Sequence, residues 1–420
     1  MKNGFKQHLH RFISALGPGV ITGAADDDPS GIATYSLAGA QLGMTMLWTA
    51  PLTWALMAPV QMMCARIGMV TGSGLTTALR KRFPRVVVGA AAFALLFANT
   101  LNVGADLAGM ADAAEMVCGL KSHFFVVIFA VAISWATIGL RYSQIAACLK
   151  WLCLALFAYV IAAIHLRPDW AAVFRATLAP SLPHGKDAWQ MLVAILGTTI
   201  SPYLFFWQAS QEVETEKAEG KRTLWQRIGA SQREIVDRKF DVGLGTFFSN
   251  MVMFFIILTT AITLHAHGIT NPKTSRDVAE ALRPLAGNLA YWLYTLGLLG
   301  VGFLAIPTLT GSSAYAFAEL FHWRQGLDQE LHNARSFYGV VILSTILAAA
   351  IDLTGINPIR ALYFSAVVNG VVAPFLLVGI VFIASDVKLM AGQPSSLIGR
   401  IAVAIVAVLM FTAAVAMFIP

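Results

Sequence analysis

Charge is scarce in this chain. Asp, Glu, Lys and Arg make up 12% of its 420 residues, against 57% hydrophobic types and a mean hydropathy of +0.69. That balance falls outside the range of soluble proteins and excludes the two or three soluble domains that the length would otherwise suggest. Only one long polar connection occurs, from Glu212 to Lys239, and the others are too short to fold independently between the apolar stretches. Cysteine is rare: Cys64, Cys118, Cys148 and Cys153 lie in or beside apolar segments without metal-type spacing, which excludes a disulfide framework and a zinc site. These thiols are expected to be packing residues. The nine histidines sit near segment ends or in loops, away from the middle of any apolar run.

What remains is a membrane protein. A bilayer-spanning helix takes roughly 20 apolar residues, and about eleven such stretches occur along the chain. They run over 13–41, 44–69, 86–112, 123–140, 144–165, 188–210, 241–265, 286–310, 336–351, 361–385 and 398–419. The first carries three aspartates and is followed at once by further spans, so it reads as a retained helix and not as a cleaved leader. Net charge is +7 and the pI about 9.3, yet the basic residues sit in short loops beside spans. They serve as topology markers and give no sign of a nucleic-acid partner. With the N-terminus in the cytoplasm, 21 of the 29 Lys and Arg fall on the cytoplasmic side, seven of them between Lys217 and Lys239. An odd number of spans then puts the C-terminus outside.

Two spans carry the means to break within the membrane. In the first, Asp26-Asp27-Asp28-Pro29-Ser30-Gly31 interrupts an apolar run. Carboxylates at that depth cost several kcal/mol facing lipid, so they are expected to face protein, water or a cation. Pro29 removes a backbone donor and Gly31 relaxes backbone restriction, so the helix is expected to unwind here. The sixth span repeats the device with Gly197-Thr198-Thr199-Ile200-Ser201-Pro202-Tyr203. Unwound backbone at membrane depth is tolerated where it lines a cavity, and breaks at positions one and six suit two inverted five-span repeats with the substrate between them. The expected organisation is one transmembrane domain over 1–420, with repeats at 13–165 and 188–385 and an added helix at 398–419. Freed carbonyls, carboxylates and hydroxyls form an all-oxygen environment of the kind that magnesium, calcium or manganese prefers.

Further polar residues lie at helical spacing. Asn99, Asn102 and Asp106 share one face of the third span and are expected along the permeation path or packed against neighbouring helices. Asn369 in the tenth span is a second candidate for such a polar contact. Asp112 and Glu115 are expected to be solvated, Glu319 interfacial, and the stretch from Glu212 to Lys239 a solvated helical loop on the cytoplasmic side.

At these residues the chain resembles the Nramp family of divalent metal transporters, over almost its full length. The run GPGVITGAADDDPSGIATYSLAGAQLG is similar to that family's first span, with Asp28-Pro29-Ser30-Gly31 aligned to an Asp-Pro-Gly-Asn metal motif. LGTTISPY aligns with a sixth-span Ala-x-x-Met-Pro-His motif, GADLAG with a third-span acidic motif, and SAVVNGVVAPF with the tenth span. The resemblance implies a leucine-transporter-type fold and metal contacts from Asp28, a backbone carbonyl near Thr198, and neighbouring residues. It also marks departures: Gly31 stands for the family's Asn, Ser201 for its Met, Tyr203 and Gln208 for two His, Gly109 for a Glu and Ala366 for a Gln.

A hydroxyl in place of a thioether hardens the pocket, which resembles the Nramp-related magnesium transporters more than proton-coupled importers. The expected metal contacts are Asp26, Asp27, Asp28, Ser30, Gly31, Thr198 and Ser201, with Asn99, Asn102, Asp106, Tyr203 and Asn369 along the path or behind them. The expected activity is import of a hard divalent cation, magnesium with manganese tolerated, across the cytoplasmic membrane by alternating access and without proton coupling. The ion is cargo and no cofactor is expected. A proton-coupled manganese or iron transporter and an amino-acid or organic-cation carrier on the same fold stay open as alternatives. An intramembrane aspartyl hydrolase is disfavoured, because its Gly-x-Gly-Asp signature is missing and the aspartates crowd into one helix. No enzymatic reaction is expected.

Overall fold

The computed structural model describes residues 22–23, 25–140, 154–181, 185–352 and 355–418. Among the described residues every regular element is helical. Eight of these helices are long and apolar enough to cross a membrane. The 23-residue helix Thr49–Thr71, the broken first span and the described part of the fifth, Phe157–His165, bring the set to the eleven expected.

Local chemistry explains where the ends move from their expected positions. The third span runs Arg85–Cys118 and stops at Gly119, whose φ of 73° places it in the left-handed region that favours glycine. The seventh begins at Gln232, nine residues before the apolar run does. Ser231 and Glu234 form a reciprocal capping box there, Glu234 N donating to Ser231 Oγ at 3.2 Å and Ser231 N to Glu234 Oε2 at 2.7 Å. The sixth continues to Ala218 and the eighth, Ala290–Phe321, ends eleven residues beyond the expected limit. Helix therefore replaces much of the expected loop between Glu212 and Lys239.

The third span packs against the eighth, ninth and tenth, the seventh against the first, and the first half of the sixth against the tenth. Small residues permit the closest of these approaches. A Cβ on Gly197 would lie 2.7 Å from Gly370 Cα, so the sixth and tenth spans touch backbone to backbone. In a bilayer, where lipid is as apolar as leucine, such close packing does much of the work of helix association. Cys64 is buried as expected, whereas Cys118 is exposed at the end of the third span; Cys148 and Cys153 lie outside the described residues.

Candidate metal centre

Both breaks are built the same way. Helix resumes at Pro29 after Asp28 and at Pro202 after Ser201, with extended backbone at the preceding residue (ψ 168° and 137°). Proline suits this first helical position because its missing N–H would have had no partner there. Asp28 caps its helix: Oδ1 accepts from Gly31 N at 2.7 Å and from Ser30 Oγ at 2.8 Å. Ser201 turns back instead, and its hydroxyl is 2.7 Å from both the Gly197 and the Thr198 carbonyl oxygens.

The two breaks meet. Tyr203 Oη donates to the Ala25 carbonyl at 2.9 Å. A Cβ on Gly31 would lie 3.1 Å from Thr198 Oγ1 and 3.4 Å from Asp28 Oδ1, so the missing side chain at Gly31 lets Thr198 sit against the aspartate.

The carboxylates divide into two pairs. Asp28 Oδ2 accepts from Asn102 Nδ2 at 2.9 Å, and the same amide donates to Asp106 Oδ2 at 3.0 Å. Asn369 Nδ2 donates to Asn102 Oδ1 at 3.0 Å, which brings the tenth span into the same string. On the other side Ser249 Oγ lies 2.6 Å from Asp26 Oδ2 and 3.2 Å from Asp27 Oδ1, a single hydroxyl shared by two carboxylates. All four aspartates are buried, and none forms a salt bridge with Lys, Arg or His among the described residues. Asp26 Oδ1 and Asn369 Oδ1 are buried with no hydrogen-bond partner there. No three His, Cys, Asp or Glu side chains among the described residues converge as a ready-made cage. The arrangement thus gathers four buried carboxyl groups among neutral oxygen donors with no fixed counter-charge among the described residues, which favours a mobile cation.

A family model for natural resistance-associated macrophage protein-like (Nramp) proteins matches residues 19–420. The chain belongs to the Nramp family. Membership places it among multi-pass membrane transporters and not among enzymes. Similar proteins include the divalent metal cation transporter MntH of Yersinia pestis (strain Pestoides F), 28% identical over 322 residues and covering 71% of each chain. Another is MntH of Deinococcus radiodurans, 25% identical over 382 residues, 88% of this chain and 81% of that one. Among solved structures, the Eremococcus coleocola manganese transporter, in complex with an aromatic bis-isothiourea substituted compound, superposes with a TM-score of 0.75 at 17% identity. It covers 96% of this chain and 86% of its own, so the two share a fold.

In this Nramp protein the structure brings together Asp28, Ser30, Gly31, Asn102, Asp106, Thr198 and Asn369 and keeps Asp26 and Asp27 apart with Ser249. Asn99 lies elsewhere. Its Nδ2 donates to Leu309 O at 2.9 Å and contacts Ser312 and Ser313 Oγ at 3.0 and 2.9 Å, joining the third span to the eighth. Helix ends elsewhere supply partners for acids near span ends: Asp112 and Glu115 stay part-exposed, while Glu319, expected to be interfacial, is buried. Asp112 accepts from Ser275 N and Glu115 from Ser122 N, each at 2.7 Å, and Glu319 is buried and accepts from Thr77 N at 2.8 Å. Glu212 and Asp241 are buried on either side of Arg238, at 2.8 and 2.7 Å, and Gln208 Nε2 donates to Glu212 at 2.7 Å. Glu212, Arg238 and Asp241 are therefore an internal ion network, not a solvated loop. Sequence reading missed Ser249; the only signal was a run of small and polar residues, Gly243, Gly245, Ser249 and Asn250, inside an apolar span.

Proposed function

We propose that this Nramp protein imports a hard divalent cation by alternating access, with magnesium the preferred cargo and manganese tolerated. The reading rests on one observation: the residues at and between the two breaks offer oxygen alone, from Asp28, Asp106, Asn102, Asn369 and Thr198, and neither break contains Met, Cys or His. A soft donor is what would favour a transition metal over magnesium. Magnesium is reluctant to shed water and is commonly held by one or two carboxylates plus its own hydration shell. Two separated carboxylate pairs suit that habit better than one all-protein cage. The relatives' names, which refer to divalent metal cations and manganese, support the broader class.

Asp28 is the central ligand in this reading, with Asp26 and Asp27 acting on the hydrated ion from the Ser249 side. Ser201, whose hydroxyl already faces two carbonyls, acts by setting what those carbonyls offer. The repeats span 13–165 and 188–385, with helix 398–419 added, and the short half-helices at the breaks are the parts that tilt to open one side at a time. With the N-terminus cytoplasmic and the C-terminus outside, the membrane potential favours inward movement of a doubly charged ion by about 4.6 kcal/mol per 100 mV.

Proton coupling is not part of this reading. A relay needs titratable groups in series, and here Tyr203 is committed to the Ala25 carbonyl, Gln208 to Glu212, and position 109 is glycine. The string Asp28–Asn102–Asp106 is the observation that favours the rival, a proton-coupled manganese or iron transporter, since the two carboxylates share one amide. Reconstitution in liposomes with gradients of magnesium, manganese or calcium, recording metal flux and lumenal pH together, separates the two. Magnesium flux that follows the gradient and the membrane potential with a flat pH trace is expected. Robust metal-dependent acidification of the lumen would promote the rival.

A further inference from the structure

Away from the breaks, the second and seventh spans diverge and leave a groove of about 470 Å³, closed on a third side by the start of the eleventh span. Its floor is apolar, with Pro59 and Met62 from the second span and Val242 and Gly243 from the seventh. Gly243 opens it: a Cβ built there meets nothing within 4 Å.

One end is different in character. Arg66 and Lys239 both line it, and neither forms a salt bridge among the described residues. The Gln393 and Pro394 carbonyls hold the Arg66 guanidinium at 3.3–3.4 Å, which positions the charge without neutralising it. Ser395 also lines the groove; it is 5% exposed and its Oγ has no hydrogen-bond partner among the described residues. A buried hydroxyl without a partner beside two uncompensated cations calls for an anionic oxygen. The apolar floor leading away calls for hydrocarbon.

We infer that this groove binds one anionic phospholipid, its phosphate among Arg66, Lys239 and Ser395 and an acyl chain along Pro59, Met62, Val242 and Gly243. A free phosphate would satisfy the charged end and leave the floor bare. The site lies at the membrane face where the basic loops concentrate, where each Lys or Arg strengthens attraction to anionic headgroups by about fivefold. It joins the seventh span, which carries Ser249 against Asp26 and Asp27, to the eleventh, and is independent of which metal is carried.

Native mass spectrometry of the full-length protein in detergent, with phosphatidylglycerol or phosphatidylcholine added, tests this. One phosphatidylglycerol should be retained in preference to phosphatidylcholine. Lys239→Gln, at an exposed position, should weaken that lipid by about fivefold while leaving phosphatidylcholine unchanged. Gly243→Phe should fill the floor and abolish retention, and millimolar inorganic phosphate should displace nothing. Equal retention of the two lipids, unchanged phosphatidylglycerol binding in Lys239→Gln, or displacement by inorganic phosphate would overturn the assignment. Because Lys239→Gln leaves the core untouched, it carries the test if Gly243→Phe fails to fold.

Discussion

Asp28→Asn separates the role of the first break in holding cargo from its role in holding the fold. Asparagine keeps an oxygen for Gly31 N and Ser30 Oγ, now at 2.7 and 2.8 Å, and is as good an N-cap as aspartate. Its amide, however, faces the Asn102 donor that is 2.9 Å from Asp28 Oδ2, so one charge-assisted bond worth about 1.5–3 kcal/mol becomes a contact between two donors. Against that, removing one of four buried carboxylates relieves repulsion of comparable size. Thermal stability without metal is therefore expected to move by less than about 2 kcal/mol. Metal binding has no such offset. Losing one partner of a buried charge pair costs about 2–5 kcal/mol, or roughly 30- to 5,000-fold in affinity. Flux in proteoliposomes, read beside a melting curve in detergent, gives both quantities. Parental magnesium flux in a folded Asp28→Asn protein would refute the site, and a collapse of Tm in step with flux would show that Asp28 serves the fold through its bond with Asn102.

Ser201→Met places a soft donor at the sixth-span break and releases the Gly197 and Thr198 carbonyls from the hydroxyl, so the flux ratio should shift from magnesium toward manganese or cadmium. An unchanged ratio in an active protein would show that Ser201 does not influence the ion. Arg238→Ala removes the cation that lies between the buried Glu212 and Asp241 and should cost about 3–5 kcal/mol, seen as a large fall in Tm, with Glu212→Gln and Asp241→Asn added to Arg238→Ala restoring most of it. A Tm that barely moves in the single variant would contradict the network. Tyr203→Phe removes the one side-chain bond from the sixth break to the Ala25 carbonyl and should cost about 1 kcal/mol while slowing flux; an unaltered rate and Tm would show that this tie is idle.

Much of the architecture was legible because its causes are local. Apolar length marks a span whatever surrounds it, and Pro29 and Pro202 restrict the helix on their N-terminal side by their own covalent geometry. The ends drifted where polar residues continue a helix past the apolar run, as the Ser231–Glu234 capping box does for the seventh span. Acids near span ends were harder to read. Glu319 and Glu212 look like surface residues until Thr77 and Arg238 are seen beside them.

The residues alone determined that this chain belongs in a membrane, that its first and sixth helices break, and that the breaks carry carboxylates, hydroxyls and no sulfur or imidazole. These are consequences of hydropathy, proline geometry and side-chain chemistry, and each is set within a few neighbouring positions. Only the tertiary structure decided how three consecutive aspartates divide, Asp28 to Asn102 and Asp106, Asp26 and Asp27 to Ser249. The same holds for Asn99, turned toward the eighth span, and for Gly197, pressed against Gly370. Consecutive residues at a helix break point in different directions, and away from water a buried polar group depends on the partner that packing brings to it from a distant part of the chain.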